Sequence, residues 1–134
     1  MNRQMAQEWL KSAVGDLQTI EEIIDNEHLT HIVAFHSQQC VEKSIKSILE
    51  WNEIDIPKIH SVLRLSKIVQ EYLVIEDKDM LDELDNLYID SRYPGDLGLL
   101  PNGKPSMGKV KIFYSFAKKI YEIVMRKIDE SPGH

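Results

Sequence analysis

The chain has 134 residues, the length of a single domain, and 43% of them are hydrophobic while 28% are charged. This balance is typical of a folded globular protein and excludes a disordered one. The net charge of −6 argues against a generally basic nucleic-acid-binding protein.

The sequence shows neither a membrane span nor a pair of cysteines. No apolar run approaches the ~18–20 residues that cross a bilayer, and the first residues lack the apolar core of a signal peptide. Cys40 is the only cysteine, which excludes an internal disulfide and fits a reducing compartment. We therefore expect a cytoplasmic protein.

A first helix is predicted from Arg3 to Ile24, with Asn2 as its N-cap. Its apolar residues recur with the 3.6-residue period of an amphipathic helix: Ala6, Trp9, Leu10, Ala13, Leu17, Ile20 and Ile24. The polar connection over residues 25–28 is short, so the next helix is expected to return antiparallel.

A second helix is predicted from Thr30 to about Trp51, and it carries three different stripes. The apolar stripe consists of Ala34, Val41, Ile45, Ile48 and Leu49. The opposite side, which we call the polar arc, contains His36, Gln39, Lys43, Lys46 and Glu50. Between them lies a small-residue stripe of Ser37, Cys40, Ser44 and Ser47.

The two unusual stripes each have two interpretations. A solvated face is the simpler interpretation of the polar arc, and a ligand site is the alternative. The small-residue stripe lets another backbone come close, so it predicts either a tight crossing inside the molecule or a seam for self-association.

Three more helices complete the pattern. The third is predicted to begin after residues 58–60, with Ser61 or His60 near its cap, and to extend to Tyr72. The fourth starts around residues 76–77 and stops before Pro94, because a proline disfavours helix at the preceding residue. Residues 94–108 form a long loop that holds four of the six glycines, and the fifth helix covers about residues 109–128. The predicted fold is all-α, an antiparallel up-and-down bundle of four to five helices, in one domain over residues 1–134. We expect its core to bury Phe35, Val41, Ile45, Leu65, Leu84, Ala117 and Ile120.

The charges are segregated along the second half of the chain. Nine acids and two bases lie between Glu71 and Asp96, whereas seven bases and one acid lie between Lys104 and Lys127. Pairing of two neighbouring helices within the molecule is the favoured interpretation, and pairing between protomers is the alternative.

The sequence has no signature of a metal site, a phosphate loop or a nucleophilic triad. His31 and His36 would point about 140° apart on a helix. The glycine-rich motifs G-x-x-x-x-G-K-[ST] and G-x-G-x-x-G are absent, and Cys40 lies in mid-helix. We predict no metal, no cofactor and no catalytic residue.

The segment Ser91-Arg92-Tyr93 precedes Pro94-Gly95-Asp96 at the end of the fourth helix. Arginine can hold a phosphate and tyrosine can stack on a base. The equally weighted alternative is that Arg92 neutralises the helix C-terminus and Tyr93 packs under the loop.

Four blocks of the sequence resemble the HEPN domain family (higher eukaryotes and prokaryotes nucleotide-binding). They are WLKSA at residues 9–13, FHSQQCVEKSIK at 35–46, PKIHS at 57–61 and SRYPGD at 91–96. Their order and spacing are similar to those of the small stand-alone members of that family. The resemblance implies a bundle of about five helices that is commonly dimeric.

The resemblance also implies frequent pairing with a minimal nucleotidyltransferase in toxin–antitoxin-like modules. Some members of the family are metal-independent ribonucleases that carry an arginine followed by a histidine after four to six residues. None of the four arginines here is followed by a histidine at that spacing, and His134 lies one place too far from Arg126.

Our leading hypothesis is a non-enzymatic, homodimeric HEPN module that acts in nucleotide or nucleic-acid processing with a nucleotidyltransferase partner. The alternatives are a ribonuclease with a variant His/Arg site and a plain protein-interaction bundle. The candidate ligand-binding residues are His36, Gln39, Lys43, His60, Arg92, Tyr93 and Asp96. We expect Lys43, His60 and Arg92 to meet at one end of the bundle and to hold a nucleotide or RNA ligand there. The alternative is that Lys43 and Lys46 pair with Glu42, Glu50 or the acidic fourth helix, which leaves Arg92 as a helix-end cap.

Overall fold

The computed structural model describes residues 2–92 and 103–130, with side chains for residues 2–89 and 103–130. This part of the chain contains five α-helices and no strand, which confirms the predicted all-α fold. The helices are α1 (Arg3–Ile23), α2 (Thr30–Trp51), α3 (Val62–Ile68), α4 (Lys78–Arg92) and α5 (Met107–Glu130). A short 3-10 turn, Glu27–Leu29, leads into α2.

Helix α2 lies at the centre of the bundle and contacts all four of the other helices. It runs antiparallel to α1, because Ser47 near its end bonds to Ala6 near the start of α1, while Lys43 reaches Asp16 further along. Other parts of the protein therefore pack on both sides of α2, and its polar residues meet protein groups rather than water.

The two other long helices flank α2 on different sides. Helix α4 is antiparallel to α2, since Gln38 meets Asp85 and the ring of Phe35 stacks on Tyr88. Helix α5 packs closely on both α2 and α1, and the Cys40 thiol lies 3.8 Å from a carbonyl oxygen in its middle.

The core follows the predicted apolar faces closely. The buried side chains include Val41, Ile45, Leu65, Leu84, Ala117 and Ile120, as expected from their spacing. Phe35, which is also expected to be buried, is partly exposed because it lies over Tyr88 at the edge of the bundle.

The chain reverses direction immediately after α2. Glu53 adopts a left-handed conformation (φ 55°), and the N–H of Ile54 bonds to the carbonyl of Leu49. This is a Schellman-type ending, which satisfies the last carbonyls of a helix and turns the chain. The following residues run back along α2, so that the carbonyl of His60 lies 2.6 Å from the amide nitrogen of Gln38.

Helix α3 is shorter than the sequence predicts. It ends at Ile68 rather than near Tyr72, and both of these side chains are exposed. The chain leaves the helix at Val69 and buries Leu73 and Ile75 instead, which a continued helix would not allow.

The helix caps agree with the prediction. The side chain of Asn2 accepts from the N–H of Met5, and Ser61 Oγ accepts from the N–H of Arg64. Within the described ranges, none of the helices is long and apolar enough to cross a membrane.

Candidate functional site

The polar arc of α2 is mostly buried between neighbouring helices and is not a solvated face. Lys46 is only 6% exposed, and His36, Gln39 and Lys43 are partly buried. The simpler sequence interpretation is therefore wrong for this arc. The physical reason is that α1 covers one edge of the arc while α4 and the chain before α3 cover the other.

Asp16 of α1 binds the first half of the polar arc, which consists of His36 and Lys43. Its carboxylate lies 2.7 Å from Nδ1 of His36 and 2.9 Å from Nζ of Lys43, and its side chain is 6% exposed. A carboxylate on Nδ1 fixes the orientation of an imidazole ring and leaves Nε2 for other partners. The side chain of His36 remains a quarter exposed, so this ring stays accessible.

Glu42 of α2 binds Lys46, in the second half of the polar arc, and also His60. Its carboxylate lies 2.9 Å from Nζ of Lys46, one turn along the helix, and 3.3 Å from Nδ1 of His60. Gln39 joins Glu42 to Gln38, since its amide donates to Gln38 at 2.8 Å and lies 3.4 Å from Glu42.

Asp85 of α4 positions the segment that carries His60. Its carboxylate accepts hydrogen bonds from Ser61 Oγ at 2.7 Å and from the N–H groups of Val62 and Leu63 at 2.8 and 3.1 Å. A carboxylate from another helix thus caps the start of α3. His60 itself is half-exposed at the rim of the site.

Four rings form a continuous row along the outside of this network. The ring of His36 meets Phe35 edge-on at 5.3 Å, Phe35 stacks on Tyr88 at 5.5 Å, and Tyr88 lies 5.9 Å from His60. We call these residues the ring row. Beside its His60 end lies an open groove of about 540 Å³, lined by His60, Leu63, Asp82, Asn86, Tyr88 and Ile89 among others.

The structure therefore divides the predicted site residues into two groups. His36 and Lys43 come together on Asp16, whereas His60 lies on Glu42 and beside the groove. The side chain of Arg92, and Tyr93 and Asp96 altogether, lie outside the described residues.

The backbone does not bring Lys43, His60 and Arg92 together at one end of the bundle, as the sequence led us to expect. Helix α4 ends toward the start of α2, because Tyr88 already lies beside Phe35 and Arg92 is one turn further on. Lys43 lies two turns along α2 in the opposite direction. The return of the chain along α2 brings His60 to the middle of that helix rather than to its end.

Sequence reasoning named Glu42 as a possible partner of the lysines, and the structure pairs it with Lys46. It missed the acids Asp16 and Asp85, which also hold the site together. Each interrupts an apolar stripe: Asp16, for example, follows the buried Ala13 by three residues and precedes the buried Ile20 by four. An acid at a core position of an amphipathic helix is the signal that could have identified them, since a buried carboxylate requires a partner.

The small-residue stripe is a close crossing inside the molecule. All four of its residues are fully buried, and Ser47 donates to a carbonyl of α1 at 2.8 Å. This excludes the stripe as a self-association seam. Burial also raises the pKa of the Cys40 thiol to about 12, which keeps it protonated and unsuited to nucleophilic attack at neutral pH.

Comparisons with known proteins agree with this architecture. The model of the HEPN domain family matches residues 6–128. The crystal structure of ST0689, an archaeal HEPN homologue, is 25% identical, with a TM-score of 0.68 over 93% of this chain and 98% of the other. The crystal structure of TT1696 from Thermus thermophilus is 24% identical, with a TM-score of 0.74 over 95% and 99% of the two chains. A search of curated proteins finds no match.

Replacing Asp16 with alanine should destabilise the protein by about 3 kcal/mol, because it leaves the ammonium of Lys43 without its buried partner. Urea denaturation measures the change. The matched control is Glu8→Ala in the same helix, whose pair with Lys11 is exposed and should contribute well under about 1 kcal/mol. Equal effects of the two substitutions would contradict the assigned role of Asp16.

Proposed function

We propose, from the premise that this chain belongs to the HEPN domain family, that it is a non-enzymatic module associated with nucleotide or nucleic-acid processing. We further propose that it works with a minimal nucleotidyltransferase as a toxin–antitoxin-like pair. The ligand-binding part of the module would be the groove beside the ring row.

One observation carries the non-enzymatic part of the proposal. Both ammonium groups of the polar arc, those of Lys43 and Lys46, already lie 2.9 Å from a buried carboxylate. A site that cleaves phosphodiesters needs cations aimed at the charge that develops on the phosphate. Cations that are neutralised in this way support a binding role. The absence of the Arg-x4–6-His pattern from the sequence supports the same conclusion.

The groove itself suits a planar group better than a phosphate. The half-exposed ring of His60 provides a face on which a base can stack, and Leu63 and Ile89 add apolar surface. Tyr88 also lines the groove but is only 6% exposed, so it supports the ring of His60. Asp82 lies on the wall and would repel a phosphate. We therefore assign the base of the ligand to the groove. We propose Arg92, in the same helix, as the residue that holds its phosphates.

ATP titrated into the protein in a calorimeter tests this assignment. His60→Ala removes a ring from the groove and Arg92→Ala removes the proposed phosphate contact, so each should weaken binding at least about fivefold. His28→Ala is the matched control, because His28 lies on the 3-10 turn and its exposed ring is 3.7 Å from the carboxylate of Glu27. No binding by the wild type, or equal binding by all four proteins, would contradict the assignment.

The partner proposal has a separate test. Mass spectrometry of the proteins and small molecules that remain bound after native purification should identify a nucleotidyltransferase in stoichiometric amount. Purification of the chain alone from cells that express such an enzyme would contradict the pairing without affecting the ATP result.

A ribonuclease is the second candidate, and one observation favours it. The Asp16–His36 pair holds an accessible imidazole in a fixed orientation, which is how a carboxylate prepares a histidine for general acid–base catalysis. Cleavage of a short RNA in the absence of divalent ions, abolished by His36→Ala but unaffected by His28→Ala, would establish it. Uncut RNA with the wild-type protein would exclude it.

A further inference from the structure

The wall that α4 gives to the groove carries two polar side chains, Asp82 and Asn86. Both are exposed, and they lie four residues apart, so they share one side of the helix. The opposite wall is formed by the start of α3 and the residues before it, with the half-exposed ring of His60. A planar group that stacks on this ring therefore has one of its edges directed toward Asp82 and Asn86.

The carboxylate of Asp82 is not neutralised by the cations near it. Asp82 also borders an open cleft between α4 and α5, where Lys104 and Lys109 lie. Lys109 pairs with Glu83 at 3.1 Å, and Lys104 donates to the carbonyl of His28 at 2.9 Å. The pairing of α4 with α5 that the segregated charges predict thus uses Glu83 and leaves Asp82 available to a ligand.

Asp85, the other acid of the groove, is already occupied. Its two oxygens accept hydrogen bonds from the start of α3, and the residue is only 8% exposed. The α4 wall therefore offers a ligand one carboxylate, which only accepts hydrogen bonds, and the amide of Asn86, which can donate.

These two groups match the Watson–Crick edge of guanine. That edge carries in order the O6 acceptor and the N1–H and N2–H₂ donors. A carboxylate can accept from both donors at once, and an amide one helical turn away can donate to O6. Adenine has one donor beside an acceptor nitrogen, and uracil has one N–H between two carbonyl oxygens. Each of these bases would place a lone pair against the carboxylate, which is unfavourable.

We propose that the groove selects guanine nucleotides, with Asp82 accepting from N1–H and N2–H₂ of the base and Asn86 donating to O6. This inference rests on the proposed function, because it identifies the base that the groove holds. The base stacks on His60 and its Watson–Crick edge meets α4. The same carboxylate repels the phosphates, so the nucleotide enters in one orientation, with its base toward this wall.

Calorimetric titration of GTP, ITP and ATP into the whole protein tests the selection. The base of ITP keeps O6 and N1–H but lacks the N2 amino group. GTP should bind at least about tenfold more tightly than ATP, which is the discrimination expected of a bidentate contact to a base, and ITP should lie between them.

The variant Asp82→Asn separates the recognition of guanine from binding in general. Its amide keeps one acceptor for N1–H but places an NH₂ group against the N2 amino group of guanine. GTP should therefore lose its advantage over ITP, while ITP still binds. Asp79→Asn is the matched control. Asp79 lies one turn earlier on α4 and borders the cleft but not the groove, so this substitution should leave all three affinities unchanged.

The possible failures are distinguishable. Equal affinity of the wild type for GTP and ATP would overturn the guanine assignment, as would an Asp82→Asn variant that still prefers GTP to ITP. If ATP binding nevertheless depends on His60, the proposed ligand site stands without this selectivity. A wild type that binds none of the three nucleotides would overturn both the proposed ligand site and the selection of guanine.

Discussion

The neutralisation of buried charge on α2 is the constraint on which the rest of this structure depends. Because α2 is surrounded by other helices, its polar residues must find partners within the protein. A buried ammonium without a counter-charge costs several kcal/mol, so Lys43 and Lys46 each require a carboxylate. Asp16 comes from α1 and therefore fixes the register of that helix, since a shift of one turn would move it by about 5.4 Å.

The same requirement positions the two histidines. Asp16 and Glu42 each bind a lysine and the Nδ1 atom of an imidazole, so the orientation of both rings is tied to the pairing of the cations. Asp85 adds a link between helices, because it caps the start of α3 from α4 and thereby sets the place of His60. The ring row is thus held in place by buried polar contacts rather than by the apolar core alone.

This arrangement separates what is fixed in the module from what is available to partners. The cations of the polar arc are occupied, while the groove beside the ring row remains open. Helix α4 borders this groove, and Asp82 lines both it and the open cleft toward α5. A scaffold of this kind presents rigid surfaces to other molecules, which is consistent with a family in which the fold serves several roles.

The sequence alone determined the helical class, the cap at Asn2, the α3 cap to within one residue, and most of the core, because these depend on local periodicity and on side chains within one turn of each other. It also identified the family through four short blocks. It did not determine the length of α3, which ends early so that Leu73 and Ile75 can be buried. It also did not determine whether the polar arc faces water or protein. That was decided by tertiary structure, because Asp16 lies 20 residues from His36 and 27 from Lys43, and only the packing of α1 on α2 brings the carboxylate to both.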